Sequence, residues 1–82
     1  MNKMLDLMKV FSAAEKSGYG VVLEIMDSKK SQVRKHICKN EDLTKAANRI
    51  FVRYNLDLTH KELPGIRIMD FYLQTKEEEN GE

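Results

Sequence analysis

The chain has 82 residues, of which 41% are hydrophobic and 33% are charged. This length suits one domain with a modest core, and the composition is that of a globular chain rather than an intrinsically disordered one. The single cysteine excludes an internal disulfide, and no apolar run is long enough to span a bilayer. We therefore expect a cytoplasmic protein that does not enter a membrane.

The first predicted element is an amphipathic helix from Asn2 to Ser17. Apolar side chains recur at helical spacing along one face, and these are Met4, Leu7, Met8, Phe11 and Ala14. Gly18 follows at the place where a left-handed residue commonly ends a helix. We therefore expect this helix to bury one face and to end in a sharp turn.

Two strands joined by a polar turn are predicted next. The segment from Gly20 to Met26 is rich in Val and Ile and alternates in polarity, which favours a strand. The polar residues 27–30 predict a turn, and Ser31 to Lys39 predicts the partner strand of a hairpin. This second strand has mixed polarity on both faces and several cations, which is typical of an exposed edge.

A second amphipathic helix is predicted from Asn40 to Tyr54, and we expect the rest of the chain to be organised around it. Asn40 can cap its N-terminus. Helical spacing places six apolar residues on one face: Leu43, Ala46, Ala47, Ile50, Phe51 and Tyr54. Three cations fall one turn apart on another face, namely Lys45, Arg49 and Arg53. The sequence thus predicts one buried side, which includes Phe51, and one cationic side in solvent.

The connection after this helix has little periodicity. Leu56 and Leu58 could anchor it to the core, and Thr59 to Leu63 could form a short helical turn.

Ile66 to Leu73 predicts a third strand, and its apolar residues on both faces indicate the central strand of the sheet. Asp70 would then need a partner if it were buried, with Lys35 or Arg67 as the natural choices.

These elements predict a single α+β domain over residues 1–75. It would be a small two-layer domain of order α-β-β-α-β, with a three-stranded antiparallel or mixed sheet and two helices packed on one face. If the third strand paired parallel with the second, the second helix would be their right-handed crossover. Residues 76–82 are acidic and without periodicity, which predicts a disordered acidic tail.

Charge is distributed unevenly along the chain, although the formal net charge is only +1. Residues 29–53 contain eight Lys or Arg and two acidic residues, whereas residues 74–82 contain one Lys and four Glu. If the hairpin and the cationic helix face lie side by side, they form a basic patch suited to phosphates. The candidate binding residues are Lys29, Lys30, Arg34, Lys35, Lys45, Arg49 and Arg53.

No catalytic motif stands out. The sequence lacks a Gly-rich phosphate loop, a nucleophile elbow and an HExxH motif. His36, Cys38 and His60 are the candidate soft-metal ligands, but three ligands with one on a distant loop do not match a structural zinc site. A Cys/His nucleophile pair is disfavoured because same-face strand neighbours have poor geometry for it. We therefore expect neither an enzyme nor a bound metal or cofactor.

Two functions remain open. The first is a regulatory or inhibitory protein that occupies a surface on a larger protein, and this is the one we favour. In size and mixed charge the chain is similar to phage-encoded inhibitors of host enzymes that handle nucleic acids, which implies a protein partner. The second is direct nucleic-acid binding through the basic hairpin and helix face, although the near-neutral net charge and the lack of a known nucleic-acid motif weigh against it. A homodimer through the strand at 31–39 or the strand at 66–73 is compatible with either function.

Overall fold

The computed structural model describes residues 2–74, and the predicted tail at 76–82 lies outside them. The elements in chain order are α1 (Lys3–Ser17), β1 (Gly20–Asp27), β2 (Gln32–Cys38), α2 (Leu43–Arg53) and β3 (Ile66–Gln74). A single 3₁₀ turn at Asn40–Asp42 precedes α2. The predicted order α-β-β-α-β is confirmed.

The three strands form one antiparallel sheet in the order β2-β1-β3. β1 is therefore central, and β2 is an edge strand, as predicted. The expectation that the third strand is central is wrong, as is the alternative of a mixed sheet with a parallel crossover. A β-bulge explains why apolar residues appear on both faces of β3. The register shifts opposite Glu24 and Ile25, and Met69 is the extra residue of the bulge. Met69 is accordingly 46% exposed at this edge.

The ends of α1 follow from its terminal residues. The Asn2 side chain caps the helix, because its Oδ1 accepts from the Leu5 N–H at 3.0 Å. Gly18 has a left-handed φ of 77°, and the Tyr19 N–H then donates to the Ala14 carbonyl at 3.0 Å. The predicted stripe is buried at Met4, Leu7, Phe11 and Ala14.

Both helices pack on one face of the sheet. One core cluster contains the α1 stripe, three residues of α2 and one alternate set of strand residues, together with Leu58 from the connection. The α2 members are Leu43, Ala46 and Ile50, and the strand members are Val21, Leu23, Cys38 and Ile68. Because successive strand residues point to opposite faces, Val22, Glu24 and Met26 lie on the side away from the helices. The two-layer architecture is confirmed.

The prediction that Phe51 is buried is wrong, since its side chain is 59% exposed. The buried arc of α2 is narrow and ends at Ile50, which is 6% exposed. Each residue turns the helix by about 100°, so the position after Ile50 lies beyond the arc. Ala47 and Tyr54 are half-buried at its borders.

Asn40 does not cap α2, because α2 begins at Leu43 after the 3₁₀ turn. Its amide Nδ2 instead donates to the carbonyls of Ala14 at 3.2 Å and Tyr19 at 3.0 Å. These carbonyls lie at the C-terminal end of α1 and just beyond it. Asn40 therefore ties the end of the first helix to the start of the second helical segment.

The connection between α2 and β3 contains no helical turn at 59–63, contrary to the prediction. It returns toward α2 and the sheet through isolated bridges of Tyr54 with His60 and of Thr59 with Arg67. Only one of the two predicted anchors is buried: Leu58 is 1% exposed, whereas Leu56 is 60% exposed. Asp70 is exposed and its Oδ1 accepts from the Phe71 N–H at 2.8 Å, so it needs no buried cation.

Candidate binding surfaces

The sheet face away from the helices is the first candidate surface. We call it the open face, and the strand register places nine residues on it: Val22, Glu24, Met26, Val33, Lys35, Ile37, Arg67, Asp70 and Tyr72. Val33 and Ile37 are each 48% exposed. Val22 is buried because its neighbours across the strands, Ile37 and Tyr72, flank it on both sides. The open face thus presents apolar side chains to solvent in the part of the chain that the structure describes.

The centre of the open face is polar. The Tyr72 hydroxyl donates to Glu24 Oε2 at 3.0 Å. This hydrogen bond raises the pKa of Tyr72 above its usual range, while the nearby Lys35 opposes the rise. Glu24 also pairs across the strands with Lys35. Asp70 lies opposite Glu24 on the other side. The Glu24–Tyr72 hydrogen bond is the fixed contact of this polar region, and Val33 and Ile37 lie beside it on β2.

A cavity on the helix side of the sheet is the second candidate surface. It has a volume of about 170 Å³ and lies between α2, the β1–β2 hairpin and the connection after α2. We call it the α2 cavity. Its apolar lining consists of Leu23, Ile25, Ala46, Ile50 and Ile68, and its polar lining consists of His36, Cys38, Arg49, Arg53, Tyr54 and His60.

The local structure fixes which polar groups the α2 cavity can offer. His60 Nδ1 accepts from the N–H groups of Glu62 at 3.1 Å and Leu63 at 3.0 Å, so the ring proton sits on Nε2. The Tyr54 and His60 rings meet edge to face with centroids 4.9 Å apart. Burial raises the pKa of Tyr54, with Arg53 opposing the rise, so the phenol is neutral at physiological pH and can donate.

The thiol of Cys38 does not have the environment of a nucleophile. Burial raises its pKa, and this outweighs the opposing charge of Arg49. Reactive cysteines instead have a lowered pKa and partial exposure, whereas Cys38 is buried. The thiol therefore stays protonated at neutral pH and packs as a small apolar group.

His36, Cys38 and His60 all line the α2 cavity, although the sequence separates His60 from the other two. The bridge between Tyr54 and His60 returns the connection to this site. Within residues 2–74, however, no three His, Cys, Asp or Glu side chains are grouped closely enough to hold a metal ion.

The seven predicted binding residues are distributed over several surfaces. Lys29 and Lys30 lie in the hairpin turn, where both backbone N–H groups donate to Asp27 Oδ1. Lys35 lies on the open face, whereas Arg34 points to the helix side of β2. Arg49 and Arg53 line the α2 cavity. Lys45 is exposed one turn before Arg49 and is not part of the cavity lining.

Two features of these surfaces did not emerge from the sequence. Val33 and Ile37 were visible only as apolar residues in an edge strand of mixed polarity, and nothing in the pattern indicated that their face stays uncovered by a helix. The α2 cavity had no local signal, because it joins residues from three strands, a helix and an irregular connection.

No helix among residues 2–74 combines the length and the hydrophobicity needed to cross a bilayer. Comparison with known proteins found no matching protein-family model, no matching curated protein and no matching solved structure. We therefore infer the function from the open face and the α2 cavity.

Proposed function

We propose that this chain is a non-enzymatic regulatory protein that binds a larger protein through the open face of its sheet. The observation that carries the proposal is the exposure of Val33 and Ile37, at 48% each, on a face that no described helix covers. Val33 and Ile37 lie on the same face of β2 on either side of Lys35, and exposed apolar surface rimmed by polar groups commonly marks a site of protein–protein contact. The pre-formed Glu24–Tyr72 hydrogen bond adds a fixed polar point that a partner can match.

The charges near the open face indicate the chemistry of the partner. Lys35 lies between Val33 and Ile37 on β2, and Lys29 and Lys30 lie at the hairpin turn just before it. A complementary surface would place apolar side chains against Val33 and Ile37 and an Asp or Glu side chain against Lys35. Edge-to-edge pairing of β2 with a second copy would instead bring like charges together, which disfavours a homodimer through this strand.

The substitution Ile37→Asp is expected to weaken partner binding by at least about tenfold, because it places a carboxylate in the apolar part of the contact. The chain would be immobilised, partners would be recovered from an extract of the native host, and the recovered protein would be purified for calorimetric titration. Because Ile37 is half exposed but also flanks the buried Val22, we expect a modest loss of stability, and binding is measured below the unfolding transition of the variant.

Phe51→Asp is the matched control for this experiment. Phe51 is 59% exposed, so the change is chemically the same, but it lies on α2 on the other side of the sheet. We expect this variant to bind the partner as the wild type does. Loss of binding in Phe51→Asp with full binding in Ile37→Asp would overturn the proposal, as would self-association of the wild-type chain through the open face.

Direct nucleic-acid binding is the second candidate, and the exposed row Lys45, Arg49 and Arg53 on α2 favours it. Cations one turn apart on a helix can each contact a phosphate. If nucleic acid is the ligand, Arg49→Glu should weaken binding and flatten its dependence on salt concentration. A mobility-shift assay at low salt in which neither duplex nor single strands bind would remove this candidate.

A further inference from the structure

The geometry of the α2 cavity points to a second binding site, and we propose that it binds a small organic anion. The ligand would carry a phosphate monoester or carboxylate group on a compact apolar ring. This site lies on the helix side of the sheet and is independent of the protein-binding function proposed for the open face.

The polar lining of the α2 cavity carries positive charge and contains no carboxylate, while Asp42 acts on the lining residue Cys38 from outside the lining. Arg49 and Arg53 lie on successive turns of α2, and both line the cavity. Two histidines line it as well, and no Asp or Glu is among its described lining residues. The planar guanidinium fork matches the oxygens of a phosphate or carboxylate and can donate two parallel hydrogen bonds. Both arginines are exposed, so a ligand can reach their guanidinium groups from solvent.

Neutral donors also line the same cavity. Because His60 Nδ1 is occupied by two backbone N–H groups, its Nε2–H is the donor that the ring retains. The neutral Tyr54 hydroxyl is a further donor. The edge-to-face contact between these rings fixes their mutual orientation. An anion between α2 and the connection could therefore accept directional hydrogen bonds besides the two charge contacts.

The apolar lining indicates the chemistry of the uncharged part of the ligand. Five aliphatic side chains from β1, α2 and β3 line the cavity, which is open to solvent on one side and has a volume of about 170 Å³. This space suits a single ring. Binding pockets commonly combine such an apolar wall with a few polar groups that orient the ligand. A free inorganic ion would leave the apolar wall unused, so we expect the anionic group and the ring to be required together.

The test is a titration of the isotopically labelled chain with four probes, followed by methyl and amide NMR. Phenyl phosphate and benzoate carry the two anionic groups on a ring, phenol is the uncharged match, and inorganic phosphate is the anion without a ring. We expect phenyl phosphate, benzoate or both to shift the Ile50 and Ile68 methyl signals in a saturable manner. Which of the two binds identifies the anionic group. Absence of saturable shifts with both would overturn the proposal, as would equal binding of phenol or of inorganic phosphate.

Variants of α2 distinguish binding in the cavity from general attraction of an anion to positive charge. Arg49→Gln and Arg53→Gln are each expected to weaken binding of the effective probe by about tenfold or more, because each removes a charged hydrogen-bond donor. Lys45→Gln is the matched control, since it removes the same charge one turn away from the lining. It should leave the affinity nearly unchanged. Equal weakening by Lys45→Gln would overturn the proposal. All three positions are exposed, so circular dichroism should show an intact fold.

Discussion

Replacing Phe11 with alanine is expected to lower the free energy of unfolding by about 3–5 kcal/mol. Phe11 lies on the buried stripe of α1, is 5% exposed and belongs to the core cluster that joins both helices to the sheet. Its truncation removes a large apolar surface from the core and leaves a cavity that the neighbouring helices fill only in part. The loss would be measured by urea denaturation followed by far-ultraviolet circular dichroism.

The matched control is Phe51→Ala, which removes the same side chain from an exposed position. Phe51 is 59% exposed, so we expect its removal to cost only about 0.5 kcal/mol or less. Because a domain of this size has a thin stability margin, all variants should be compared in the same stabilising osmolyte. A larger loss for Phe51→Ala than for Phe11→Ala would mean that α2 is rotated about its axis relative to this structure.

Replacing Leu58 with alanine is expected to lower the free energy of unfolding by about 2–5 kcal/mol. Leu58 is 1% exposed, although it belongs to an irregular connection rather than to a helix or strand. Its φ of 69° is uncommon for a residue with a side chain and costs conformational energy. The backbone conformation is supported by hydrogen bonds from the Leu58 N–H to Asn55 and from the Ile68 N–H to the Leu58 carbonyl, both at 2.9 Å.

Leu56→Ala is the control for this prediction, because Leu56 lies two residues earlier in the same connection and is 60% exposed. We expect the same denaturation experiment to give a change of about 0.5 kcal/mol or less. Similar losses in the two variants would show that the connection does not anchor to the core through Leu58 alone. The pair therefore tests whether a single residue fixes the path from α2 to β3.

The elements that the sequence predicted well are those with local signals. α1 has a capping asparagine at Asn2, a helical apolar stripe and a left-handed glycine at Gly18, and each of these acts within a few residues. β1 and β2 were predictable from alternation and a polar turn for the same reason. These signals predict the type and order of the elements, and the structure confirms the α+β class.

Tertiary packing decided the features that the sequence predicted wrongly. The apolar arc of α2 could have included Ile50 alone or Ile50 with Phe51, and only the position of the sheet selects between them. The same holds for Leu56 and Leu58, which are equally apolar. The two-sided pattern of β3 predicts a central strand, and this prediction is wrong because a bulge that displaces Met69 has no reliable sequence signal.

The binding surfaces were predictable only in part. Arg49 and Arg53 were singled out by their spacing, and both line the α2 cavity. Their neighbours His36 and His60 come from distant segments, so the cavity itself required the fold. The open face depends on where both helices pack, which no single strand reveals. Because the two surfaces lie on opposite sides of the sheet, Ile37→Asp and Arg49→Gln can test them separately.

In the structure, two helices cover one face of the sheet and leave the other face in solvent. This arrangement can be tested by methyl NMR of the isolated chain with a soluble paramagnetic agent. We expect strong broadening of the Val33 and Ile37 methyl signals and protection of those of Leu7 and Val21, which are fully buried. Protection of Val33 and Ile37 to the same degree as Leu7 would contradict it, because the open face would then be covered in the chain by itself.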